Sequence, residues 1–318
     1  MSKSKERAGT PRLFIPKAHT PSLKEVGTAS WGILALFNLA VMVFSMPRVR
    51  PRSLYWMTVI LFVLAFPNIR HLVDGNFEGV MILGLVLAVY GYQRDKPWAL
   101  AVGILFASAK PQTTMLALIV LGLFILQAKP PRFWLRTLGV ALIIVVPTML
   151  WRGQEWLNIM FNVTSAHLQQ GSIMDISLLS TLRRTELFAP AIQWLLWGSV
   201  LAITGLITWF SQRTFTREKA GYLVAASLLI APYAGSTLTL LAVGGIPLFL
   251  KRRWLGSALL AFSYGQYFLN QPSGYTVFAY YSTIYLILMW LALMWHVWQI
   301  EITTRKASAL VTAVQSTD

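Results

Sequence analysis

The sequence predicts an all-α fold: a polytopic membrane helical bundle with about eleven transmembrane helices. Three observations lead there. Of 318 residues, 56% are hydrophobic, and mean hydropathy is +0.59. Charged residues make up 12%, roughly half the share usual in soluble domains. Apolar runs of bilayer-crossing character recur from residue 28 to residue 300. They define one membrane domain, 28–300, between a polar basic N-terminal tail, 1–27, and a polar C-terminal tail, 301–318.

Taken in order, the predicted spans are 28–46, 54–66, 80–92, 98–108, 114–126, 134–150, 188–210, 221–230, 238–250, 255–269 and 277–298. Several fall short of the roughly 20 residues that a lone span needs. Either their polar ends extend them, or they are broken inside the protein. Pro67, Pro111, Pro147 and Pro232 favour breaks, because proline ends or kinks a helix. The longest connection, 151–187, carries Leu178, Leu179 and Leu182 at helical spacing beside polar neighbours. That pattern predicts an amphipathic helix on the membrane surface.

Charge sets orientation. With alternate crossings, the segments on the side of 47–52 hold 16 Lys and Arg, and the opposite loops hold 5: Arg70, Lys110, Arg152, Arg183 and Arg184. Lys and Arg accumulate on the cytoplasmic side. The bias places the C-terminus in the cytoplasm and 151–187 outside. The N-terminal tail, which holds six further basic residues, conflicts with the outer position that the same count gives it.

The net charge of +16 therefore points to cytoplasmic loops and anionic lipid headgroups. It does not point to nucleic acid, since no basic stretch has the aromatic interleaving of a nucleic-acid groove. There are no cysteines, and the four histidines are scattered without ligand spacing. This excludes thiol chemistry and predicts no metal site and no cofactor.

The polar residues that matter lie at the ends of one hydrophobic hairpin. Asp74, Asn76 and Glu78 open its first span; Lys110 and Gln112 follow its second. Parity puts both groups at the same, outer face. Asp74 and Glu78 would share a helix face if helix already began at Asp74; the competing reading is a helix cap for Asp74. Lys110 sits either at the interface or toward a polar cavity. Arg183 and Arg184 either meet lipid headgroups or hold a phosphate. Tyr275, Tyr280, Tyr281 and Tyr285 either line a sugar site or pack between helices, the second being favoured.

These stretches resemble glycosyltransferase family 87. Pro67 with Gly75-Asn76 opening an apolar helix, then a basic turn, Gly103 and Lys110-Pro111-Gln112, follow the family's order. Ser177-Leu178 with Leu182 and Arg183 looks like its Asn-x-Ser-Leu segment and trailing arginine. Ala231-Pro232-Tyr233-Ala234 followed by Pro247-Leu248 looks like its Pro-Tyr-Ala helix start. The resemblance implies a GT-C fold and transfer of mannose or arabinofuranose from a polyprenyl-phosphate sugar to an acceptor outside the cytoplasmic (inner) membrane. Asp74 and Glu78, the acids at the outer end of the hairpin, are the candidate catalytic residues by position. The resemblance raises Lys110 as a phosphate-binding residue, with Gln112, Asn76, Arg183 and Arg184 as further candidates around the lipid phosphate or substrate. The family's usual aspartate in the first outer loop has no counterpart here, as in a chain lacking that helix and loop. A non-catalytic carrier-binding or scaffold subunit, with a membrane-protein partner supplying missing elements, is the alternative.

Overall fold

The computed structural model describes residues 23–47, 49–74, 78–170, 175–186, 188–269 and 275–315. Asn76 lies outside them. So do the side chain of Asp74 and those of residues 159–170 and 304–315. Every regular element among the described residues is helical.

The chain runs α1 (Leu23–Ser45), α2 (Arg52–Val63), α3 (Phe66–Asp74), α4 (Glu78–Gln93), α5 (Pro97–Ala107), α6 (Pro111–Ala128) and α7 (Pro131–Gln170). Then come α8 (Leu178–Thr185), α9 (Pro190–Phe210), α10 (Arg217–Ile230), α11 (Leu238–Leu240), a π-helical turn (Leu241–Gly245) and α12 (Ile246–Lys251). The last elements are α13 (Arg253–Tyr264), α14 (Gln266–Leu269) and α15 (Tyr275–Gln315). Four of the described helices contain a stretch long and apolar enough to cross a membrane alone: Pro111–Ala128, Pro131–Trp151, Pro190–Phe210 and Val277–Thr303. Other apolar elements are shorter, among them Arg52–Val63, Glu78–Gln93 and Pro97–Ala107. The molecule is an all-α integral membrane protein.

Proline starts more helices here than it breaks. Pro97, Pro111, Pro131 and Pro190 each open a helix, where the missing N–H would have no intrahelical partner anyway. Pro147 lies inside α7 without ending it. The predicted span 134–150 and the first half of the predicted loop 151–187 are thus one helix of 40 residues. At 1.5 Å per residue it is about 60 Å long, roughly twice the hydrocarbon thickness.

The predicted hydrophobic hairpin is α4 and α5, joined by the turn at 94–96. Asp95 takes φ 51 there, a left-handed conformation that Asp tolerates better than most residues. The two helices approach through glycine. A Cβ on Gly84 would stand 2.4 Å from the Ala107 nitrogen, and one on Gly103 would stand 2.4 Å from the Ala88 nitrogen. Small residues let membrane helices pack backbone to backbone, where dispersion contacts replace the absent hydrophobic drive. This close hairpin fixes the position of Glu78, at the start of α4, relative to the residues that follow α5.

α10 is the centre of the bundle. Every residue from Glu218 to Ile230 is buried, and the helix packs against α6, α9, the π turn and α15. A helix apolar all round is buried on all sides.

The amphipathic α8 packs its apolar stripe inward. Leu178, Thr181 and Leu182 are buried, so its apolar stripe faces the bundle rather than lipid.

Polar contacts divide between two ends. At one, Tyr92 Oη donates to the Arg213 carbonyl (2.6 Å), and Arg217 reaches the Ser45 carbonyl. Lys219 pairs with Glu301 (3.2 Å), Lys251 with Glu218 (2.7 Å) and Lys129 with Asp95 (2.5 Å). At the other, Lys110 pairs with Glu78 (3.1 Å). Each of these pairs joins residues that the charge count puts on the same side.

Candidate functional site

The site is built around Glu78. It is the first residue of α4, where the helix dipole favours a negative charge, and it is 2% exposed. A buried carboxylate is costly unless paired and hydrogen-bonded. Glu78 has both. Lys110 Nζ donates to Oε1 at 3.1 Å. Ser236 Oγ and Thr239 Oγ1 donate to Oε2 at 3.0 and 3.3 Å.

Three separate segments supply these partners. Lys110 is the residue before α6, held where Pro111 starts the helix. Thr114 Oγ1 closes the α5–α6 turn by donating to the Ala107 carbonyl (2.7 Å). Ser236 and Thr239 flank the start of α11, and Ser236 Oγ also accepts from Leu238 N (3.2 Å). Directly beyond Thr239 the helix widens into the π turn, a distortion that occurs frequently at functional sites. Behind Glu78, Gly79 N donates to Asn38 Oδ1 at 3.0 Å, which ties α1 to the start of α4.

A second strand of contacts runs beside the first. Asp175 is buried, and its Oδ1 accepts from the amides of Ser177 and Ala234, both at 2.9 Å. Ile176 N donates to the Ala234 carbonyl (2.8 Å). The 175–177 segment is therefore strapped to 234, two residues before Ser236. Thr283 on α15 completes the strap: its hydroxyl bonds the Ile176 carbonyl (3.0 Å) and meets Thr181 Oγ1 (2.7 Å).

The predicted site residues separate in this geometry. Glu78 and Lys110 come together as a bonded pair. Asp74 ends α3 while Glu78 begins α4, so the two are assigned to different helices and not to one continuous face. Gln112 is half-buried in the first turn of α6, two residues from Lys110. Arg184 is turned inward: it donates to the Asp175 carbonyl and, through Nε, to that of Ser180 (3.3 Å). It is a latch on the strap. Arg183 is exposed and lies over the Trp194 ring at 5.6 Å. Tyr281 stacks on Phe262 at 4.3 Å and Tyr285 is fully buried, so both pack between helices. No group of three metal-ligating side chains exists among the described residues.

Sequence reasoning missed Ser236, Thr239, Asn38 and the buried position of Asp175. Their one signal was hydroxyl and amide groups beside or within apolar stretches, which must find partners when buried.

An all-α membrane protein with a buried, hydroxyl-bonded glutamate paired to a partly exposed lysine between its helix ends has the parts of a membrane-embedded binding or catalytic centre. The family model for glycosyltransferase family 87 matches residues 12–238. The match covers most of the chain and includes Glu78, Lys110, Asp175 and Ser236. The chain belongs to glycosyltransferase family 87, a family of membrane glycosyltransferases. No curated protein and no solved structure matches it.

Proposed function

We propose that the protein transfers a sugar from a polyprenyl-phosphate donor to an acceptor hydroxyl at the Glu78 end of the bundle, on the outer face of the cytoplasmic membrane. The observation that carries this reading is the Glu78–Lys110 pair. Inverting transfer needs a carboxylate to take the acceptor proton and a cation to meet the charge developing on the departing phosphate. A carboxylate and an ammonium 3.1 Å apart at one end of a membrane bundle supply both. Lys110 retains 28% exposure while Glu78 has 2%, so the lysine is the group open to an incoming phosphate. The mannosyl or arabinofuranosyl identity of the sugar follows the family resemblance. The charge bias supports the outer position and a cytoplasmic C-terminus.

One observation favours a second reading, a non-catalytic carrier-binding or scaffold subunit: both oxygens of Glu78 already accept hydrogen bonds. Sugar transfer in membranes from radiolabelled polyprenyl-phosphate sugars separates the two. Transfer that drops in Lys110→Ala supports the enzyme. Unchanged transfer in that variant ends the phosphate role. Wild-type membranes that bind donors yet transfer none of a varied set support the scaffold.

A further inference from the structure

We infer that the opposite end of the bundle holds a binding site for one anionic phospholipid, centred on Lys129, Arg132 and Arg136. A concavity of about 510 Å³ opens there between the α4–α5 turn and the α6–α7 turn. Asp95, Pro97, Lys129, Arg132, Phe133 and Arg136 line it. Three cations against one carboxylate leave an excess of two positive charges in a small volume.

The three cations are not equivalent. Lys129 is 15% exposed; it bonds Asp95 at 2.5 Å and lies over the rings of Tyr92 and Phe133 at 4.6 and 5.6 Å. It is anchored, with its charge largely answered by Asp95. Arg132 and Arg136 are exposed and form no ion pair with the other described residues. They stand four residues apart on the first two turns of α7, so they project side by side. The start of α7 adds the positive end of its dipole. Two unpaired guanidiniums over a helix N-terminus fit a phosphate group.

What distinguishes a lipid phosphate from a free one is the surface that follows. At helical spacing after Arg136 come Val140 and Ile143, and Ile143 is 74% exposed. The Pro131–Trp151 stretch has only 11% of its residues buried in the protein, and Leu135, Leu138 and Leu142 are also exposed. An acyl chain below a headgroup held by Arg132 and Arg136 lies along this uncovered apolar face. A soluble phosphate gains nothing from it. Basic pockets at the ends of membrane helices take anionic headgroups on this principle.

The test measures lipid binding to the full-length, detergent-purified protein by native mass spectrometry. Phosphatidylglycerol is titrated against phosphatidylcholine, with inorganic phosphate as competitor. Each basic residue near a headgroup is worth about fivefold in binding. Arg132→Gln with Arg136→Gln should therefore weaken phosphatidylglycerol binding by about 25-fold. Asp95→Asn removes the opposing charge in a residue type that tolerates the left-handed turn, and should strengthen binding severalfold. Arg253→Gln, at the same end but outside the concavity, should change little. Opposite signs for the two sets of variants cannot arise from simple damage. Equal retention of both lipids, or phosphatidylglycerol binding indifferent to the double substitution, overturns the site. Displacement of the lipid by millimolar inorganic phosphate overturns the assignment to lipid in favour of a free phosphate.

Discussion

Replacing Lys110 by methionine isolates the electrostatics of the Glu78 site. Methionine keeps the length and removes the ammonium. Glu78, 2% exposed, is then a buried carboxylate supported by the hydroxyls of Ser236 and Thr239 but without the cation. Removing one partner of a fully buried ion pair costs about 3–5 kcal/mol. Lys110 is 28% exposed, so solvent already screens part of the interaction, and about 2–3 kcal/mol is the expected loss. A second substitution, Glu78→Gln, removes the orphaned charge while its amide oxygen still accepts from the hydroxyls. The double variant should recover to within about 1 kcal/mol of wild type, giving a coupling of about 2 kcal/mol. Unfolding equilibria of the four proteins in mixed micelles measure this cycle. Additive losses, or a Lys110→Met cost below about 0.5 kcal/mol, would show that the pair is a loose surface contact, and the reasoning from burial would fail.

Other outcomes follow from the same contacts. Gly84→Val drives a side chain against the Ala107 backbone, 2.4 Å from the ideal Cβ, and should destabilise the protein by at least about 1–3 kcal/mol. Gly122→Ala, with nothing within 4 Å, should be neutral by the same melting measurement. Lys219→Met breaks the buried pair with Glu301 at the far end and should cost about 3 kcal/mol or more, with transfer by the folded fraction unchanged per molecule. Arg184→Gln frees the 175–177 strap from its latch; transfer should fall severalfold, while Arg183→Gln, whose side chain is exposed, should fall far less in a parallel assay.

The sequence carried depth far better than azimuth. Hydropathy located the apolar stretches, and parity alone put Glu78 and Lys110 at one face, because a hairpin returns its two ends to the same side. Whether those residues point at each other depends on rotation about each helix axis, which hydropathy does not encode. That rotation is set here by Gly84 and Gly103 meeting across α4 and α5. Ser236 and Thr239 were out of reach because they lie 158 and 161 residues from Glu78. Arg183 and Arg184 looked alike as adjacent cations, yet one faces solvent and the other the Asp175 carbonyl, a difference of about 100° around α8. Pro147 misled in the opposite direction. Read as a break, it lies within a continuous helix, since membrane helices tolerate proline where neighbouring groups take up the freed carbonyl.

In the proposed reaction Glu78 acts on the acceptor while Lys110 meets the donor phosphate. Glu78→Gln tests it most directly, because the amide preserves the bonds from Ser236 and Thr239 and removes the base. Sugar transfer from radiolabelled polyprenyl-phosphate donor should fall by about 100-fold or more, with donor binding and melting temperature close to wild type. Transfer at the wild-type rate in that variant would contradict the account and leave Glu78 as a structural anchor.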